Sequence, residues 1–171
     1  MSTWNADCCF PLDCQLPEEK CFHEKQDDSL KKFEYFVAYP QNSEVNQVLM
    51  SGNEANPTVV SRLTVSSIKP HDVVWLNGLF HIDNDKQTPV TADVRIYANN
   101  IVLGEEIYKA VIEIDEAFHD DLSQPIPVQH VQRFDQYTSS VTYILTVYIQ
   151  ESVNNNVFLN RPITFTASLI D

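Results

Sequence analysis

Every cysteine of this 171-residue chain lies in one short stretch, CCFPLDCQLPEEKC, at Cys8, Cys9, Cys14 and Cys21. Thiols grouped in this way, with none later in the chain, have few chemical uses. One is metal binding: the four thiolates and His23 form a candidate ligand set for Zn²⁺. The spacing suits that poorly, because adjacent Cys8 and Cys9 point to opposite sides of an extended chain and no CxxC knuckle is present. A second use is an internal disulfide framework, for which four cysteines allow three pairings. Vicinal Cys8–Cys9 is strained, and the loops Cys9–Cys14 and Cys14–Cys21 are too short to constrain the unfolded chain much. A third use is intermolecular: two adjacent thiols facing opposite ways can reach two neighbours, whose only available cysteines are those of their own arms. The thiols can also be idle. Intermolecular crosslinking accounts best for the clustering, the spacing and the cysteine-free remainder together.

Two acidic clusters are the other candidate sites. Asp83 and Asp85, in the run HIDND, offer oxygen ligands of the kind Ca²⁺ takes, and so do Asp120 and Asp121 beside Glu113, Asp115, Glu116 and His119. Neither has the Gly and Glu positions of a helix-loop-helix calcium site, and solvated turns are the plainer expectation, so no metal or other cofactor is expected. No G-x-S-x-G, HExxH or Gly-rich phosphate loop occurs, and Gly52, Gly78 and Gly104 are the only glycines. The expectation is a protein that is not an enzyme. Trp75, Tyr97, Tyr108, Tyr137 and Tyr148 include outward-facing aromatics that suit sugar binding, although such residues more often serve core or interface.

A formal charge of −13 excludes nucleic acid as a natural partner and disfavours anionic membrane surfaces. No apolar run is long enough to cross a bilayer as a helix. Residues 1–30 lack the basic and apolar regions of a secretory signal, so the chain is expected to reach its destination without a standard cleaved leader. Cytosolic thiols normally stay reduced, so crosslinking requires that the subunits end in an oxidising place.

The elements that must carry these groups are strands. Residues 1–30 are expected to be a flexible arm, with prolines, cysteines and the charged run EEKCFHEKQDDS but no periodicity. Period-two alternation starts at FEYFVAY, where Phe33, Tyr35, Val37 and Tyr39 share a face. VVSRLTV aligns Val59, Leu63 and Val65, with Ser61 among them. DVVWLNGLFHI aligns Val74, Leu76, Phe80 and Ile82 against Val73, Trp75, Leu79 and His81. VTADVRIYA points Ala92, Val94, Ile96 and Ala98 inward and Asp93, Arg95 and Tyr97 outward. KAVIEID aligns Ala110, Ile112 and Ile114. SVTYILTVYIQ aligns Val141, Tyr143, Leu145, Val147 and Ile149, and RPITFTASLI aligns Ile163, Phe165, Ala167 and Leu169. Weaker strand signals lie at 46–50, 100–104 and 127–131, and a helical turn is expected near 116–122. Residues 141–150 and 157–169 read as a hairpin turning at the asparagines 154–156. Roughly eight to ten short antiparallel strands predict a β-sandwich or jelly roll over residues 31–171.

The double cysteine, short spacer and third cysteine ahead of an all-β body resemble the N-terminal connector of bacterial endospore appendage subunits. The stretches VWLNGLFHIDND, TADVRIYANN and RPITFTASLID are similar to β-domains of spore-surface and exosporium proteins. The resemblance implies that Cys8 and Cys9 are the connector pair, Cys14 the third connector cysteine and Cys21 an acceptor near the start of the jelly roll. It implies disulfides between neighbouring subunits, although the body carries no late cysteine to receive one, which leaves the pairing open. The body is also longer than the appendage pattern, with added residues at 22–58 and 115–137.

The sequence therefore predicts a structural subunit that polymerises with itself into a pilus-like fibre on a spore surface or in an extracellular setting. Strand edges would pair and the arm would crosslink. The alternative is a β-sandwich module that binds carbohydrate or a cation.

Overall fold

A computed structural model describes residues 29–38, 48–51, 53–116, 123–150 and 156–171. The arm cysteines Cys8, Cys9, Cys14 and Cys21, with His23, Tyr39, His119, Asp120, Asp121 and most of the expected helical turn, lie outside those residues.

The described chain forms nine strands: β1 (Leu30–Ala38), β2 (Val48–Leu49), β3 (Thr58–Ile68), β4 (Val73–Asn84), β5 (Val90–Ala98), β6 (Glu106–Ile114), β7 (Gln124–Arg133), β8 (Thr138–Ile149) and β9 (Val157–Ile170). One sheet has the order β1-β9-β4-β7, with the short β2 also on β9, and the other has the order β3-β8-β5-β6. When β2 is set aside, the eight long strands pair first with last, second with seventh, third with sixth and fourth with fifth, all antiparallel. That nesting is an antiparallel ribbon folded over on itself, and β4–β9 and β5–β8 pairing joins its pieces into two sheets. The fold is an all-β jelly-roll sandwich.

The alternating rows meet between the sheets. Val74, Leu76, Phe80 and Ile82 of β4 are buried, and so are Val141, Tyr143, Leu145, Val147 and Ile149 of β8 and Ile163, Phe165, Ala167 and Leu169 of β9. Gly78 completes the β4 row: a Cβ there would lie 3.2 Å from Phe165 Cδ2 and 3.6 Å from Leu145 Cδ2, so the position is kept small by side chains from both sheets. The Tyr143 phenol, buried in this layer, donates to Gln132 Oε1 at 2.9 Å and so ties β8 to β7.

Four expectations need correction. Residues 141–150 and 157–169 are not a hairpin: β8 pairs with β3 and β5, while β9 pairs with β1, β2 and β4. Their apolar rows face each other across the core, an arrangement with the same alternation as a hairpin. A register shift between Val59 and Ser61 turns Val60 inward and leaves Val59 half-exposed. The weak signal at 100–104 is a loop containing the positive-φ Gly104, whereas 127–131 belongs to β7. Asp93, Arg95 and Tyr97 leave the sheet on its outer side as expected, yet all three are buried.

Candidate interaction surface

The two sheets present different outer faces. On β5, residues two apart share a side, so Asp93 and Arg95 are neighbours by construction. Arg95 Nε donates to Asp93 Oδ1 at 2.7 Å and Arg95 Nη2 to Asp93 Oδ2 at 3.0 Å. Tyr148, opposite Asp93 on β8, donates its hydroxyl to the same oxygen at 3.0 Å. Arg95 also reaches Glu54 Oε1 at 2.6 Å and the Tyr97 hydroxyl at 3.3 Å, and lies 5.3 Å from the centre of the Tyr148 ring. Lys109 adds a contact to Asp93 at 3.5 Å.

Burial pushes the Asp93 carboxyl up, but hydrogen bonds from Arg95 and Tyr148 and the charges of Arg95 and Lys109 outweigh it and hold the group below its ordinary value. The Arg95 guanidinium is raised, first by Asp93. Burial and the Asp93 bond push the Tyr148 phenol up to about 12. A carboxylate locked as an anion, a fixed cation and a phenol that stays protonated supply neither base nor nucleophile near neutrality. The cluster is a clamp, and Glu54 fastens the 53–57 turn to the sheet.

A second clamp sits where the ends of the described body meet. The Asp171 amide donates to the Ser29 carbonyl at 3.3 Å, and Lys31 Nζ bonds Asp72 at 2.8 Å and also Asp171. Asp72 further accepts the Lys69 amide at 2.8 Å. The first strand is thereby anchored beside the last residue of β9.

The outer face of the five-stranded sheet carries charges towards its ends, as at Asp83 of β4 and Arg133 of β7, and none in its middle. Three rows cross its four long strands in register: Phe33, Ser168, Trp75 and Val131; Tyr35, Thr166, Asn77 and Gln129; Val37, Thr164, Leu79 and Pro127. None of the twelve is acidic or basic, in a chain with 24 acidic and 11 basic residues. Tyr35 is 69% exposed, Val131 57% and Phe33 52%, and the rings of Phe33 and Tyr35 stack with centroids 6.2 Å apart. The alternation of β1 was legible, but it marks this solvent face rather than the core. Thr166 Oγ1 donates to the Asn77 carbonyl at 3.3 Å, which binds the middle row across two strands.

The other expected sites look different in place. Asp83 and Asp85 flank Asn84, which is buried and donates to the carbonyls of Thr88 and Asp115 at 3.0 Å each. Asn84 therefore shapes the turn, while Asp83 accepts from Asn160 at 3.2 Å. Asp85 borders an open depression of about 520 Å³ with Lys86, Gln87, Thr88 and Asn156. Among the described residues no three His, Cys, Asp or Glu side chains come together as a metal site. Of the aromatics singled out for sugar binding, Tyr97 and Tyr148 are buried and Tyr108 is half-buried in an edge contact with His130, with centroids 6.1 Å apart. Only Trp75 and Tyr137 are exposed, and Tyr137 is the residue just before β8, outside the charge-free rows.

No family model and no curated protein matches the sequence. Among solved structures the chain is similar to the infectious bursal disease virus VP2 subviral particle, with 11% identity, TM-score 0.45, and 99% of this chain against 43% of that one. It is similar also to latent PorU from Porphyromonas gingivalis, with 6% identity, TM-score 0.46, and 84% of this chain against 13% of that one. A third similar structure is CBM35 from Paenibacillus barcinonensis, with 13% identity, TM-score 0.28, and 85% of this chain against 93% of that one. The chain thus spans less than half the length of the first two.

Proposed function

We propose that this chain is a structural subunit that assembles with copies of itself into a fibre outside the cell or on a spore surface, locked by disulfides among Cys8, Cys9, Cys14 and Cys21. It does so without catalysis. The observation that carries this reading is the place where the arm joins. The residues bearing every cysteine run into β1, and among the described residues β1 pairs only with β9, so its outer edge is open. β1 contains no proline, whereas β7, the opposite edge of that sheet, carries Pro125 and Pro127, which deprive one side of it of two donors. Addition is therefore favoured at β1 over β7, and a neighbour's arm that adds as a strand at β1 makes a head-to-tail contact that need not close. The Lys31–Asp72–Asp171 clamp holds the start of β1 in place, so an arm pulled by a neighbour transmits its load to the sheet.

Electron microscopy of the oxidised protein tests this reading. Fibres that shorten or disperse after reduction support it, and a field of separate particles under oxidising conditions rejects it.

A glycan-binding module is the second reading. One observation favours it: Trp75 stands partly exposed beside Asn77, Gln129 and Thr166, an aromatic next to uncharged hydrogen-bonding groups.

A further inference from the structure

We propose that the charge-free centre of the outer face of the five-stranded sheet is the docking surface for a second copy of this chain. The inference rests on the self-assembling reading and adds to it the face through which copies first meet.

Three features select this occupant. The first is contrast within one molecule. The outer face of the four-stranded sheet carries Arg62, Asp93, Arg95, Lys109 and Glu113 across its width, while the other outer face keeps Asp83 and Arg133 to its ends and has no charge in the three rows between them. Solvent faces of antiparallel sheets are ordinarily polar and are defended by charge, so a charge-free centre with Phe33, Tyr35, Trp75, Val131 and Pro127 is built to be covered.

The second is net charge. Two chains of −13 repel each other, with 17 acidic against 9 basic residues in each body of residues 31–171, and the repulsion per contact is least where neither presents an acidic group. A basic partner would gain nothing from this face, whereas an identical acidic partner can use no better one.

The third is self-complementarity and size. The aromatics lie on β1 at one side of the sheet, and Val131 and Pro127 lie on β7 at the other. A two-fold axis parallel to the strands lays the Phe33–Tyr35 side of each copy over the Val131–Pro127 side of the other, which is the isologous arrangement. Four strands by about six residues make a patch on the order of 400 Å². Two such patches bury roughly 800 Å², below the 1,200–2,000 Å² of stable complexes, so the contact is weak and reversible. A weak face suits a subunit with cysteine arms: docking raises the local concentration of thiols, and passing two electrons and two protons from a thiol pair to an external oxidant such as O₂, reduced to H₂O₂, makes the encounter permanent as a disulfide.

The test is sedimentation velocity of the full-length chain, kept in reductant so that no disulfide contributes, over a range of protein and salt concentrations. The expected wild-type result is a reversible, concentration-dependent dimer that strengthens as salt screens the acidic bodies. Tyr35→Glu and Val131→Glu, both at exposed sites, should lower the association constant by about tenfold or more, because each buries an unpaired carboxylate. Thr64→Glu, an equal charge change on the outer side of β3, should leave it within about twofold. Circular dichroism confirms that each variant is folded. A wild type that dimerises equally well with Tyr35→Glu and Val131→Glu overturns the face but leaves the assembling subunit standing. Association that weakens with salt overturns it as well, since charge pairing elsewhere would then hold the copies. A wild type that stays monomeric throughout, and whose tryptophan fluorescence shifts instead on adding a soluble polysaccharide, overturns it in favour of a glycan-covered face. Failure of the subunit reading is seen separately, as an absence of oxidised fibres.

Discussion

At the scale of single residues, the Asp93–Arg95 pair shows how an outward-facing charge can be structural. Both groups are almost fully buried: Asp93 accepts from Arg95 on β5 and Tyr148 on β8, and Arg95 donates to Asp93, to Tyr148 and to Glu54 of the 53–57 turn. Removing one partner leaves the other uncompensated, so Arg95→Ala should cost about 3–5 kcal/mol in urea unfolding. The same variant should change the response to acid. In the wild type Asp93 is held below its ordinary value, so its contribution is complete above that value and is lost only as pH falls through the depressed one. Without Arg95, burial dominates and the carboxyl moves up. The acid-unfolding midpoint of Arg95→Ala, followed by circular dichroism, should therefore lie at higher pH than that of the wild type. An unchanged midpoint would mean that the pair carries no linkage. These burials were not readable in advance, because the partners Glu54 and Tyr148 lie 41 and 53 residues away in sequence. The available hint was local: Asp and Arg two apart on a strand form a complementary same-face pair.

At the scale of elements, the jelly roll depends on rows that alternate in β4, β8 and β9, and on Gly78 leaving room where they meet. Gly78→Val should overpack against Phe165 and Leu145 and lower stability by about 1–3 kcal/mol. Phe165→Leu in the same chain should recover part of that loss, and a double-mutant cycle measures the coupling. Strictly additive effects would show that the glycine is not kept small by that ring. The alternating rows were legible because one buried face imposes period two whatever the pairing. The pairing was not legible for the same reason: the pattern of β8 and β9 is the same whether they are hydrogen-bonded neighbours or face each other across the core. The shift at Val59–Ser61 was likewise hidden, since an inserted residue moves a side chain to the other face without changing composition.

At the scale of the molecule, charge is arranged by face. The acidic excess is shared between the arm and the body, the four-stranded sheet pairs Asp93 with Arg95 and Lys109 on its outer face, and the five-stranded sheet leaves its central rows neutral. The sequence placed Phe33 and Tyr35 on one face of their strand and Trp75 opposite the Val74–Ile82 row, and left Thr164, Thr166 and Ser168 between the aligned residues of the last strand. Only the registers β1–β9 and β4–β9 assemble them into a surface, which is why the sequence pointed to the arm and not to this face. The arm cysteines and the face have complementary tasks in the proposed assembly, one supplying permanence and the other approach. The most direct test is a denaturing gel, run with and without reductant, of protein taken from its native cells with free thiols blocked at lysis. The account predicts a ladder of multimers that collapses to the 19.6 kDa chain on reduction. A single monomer band in both lanes would contradict it.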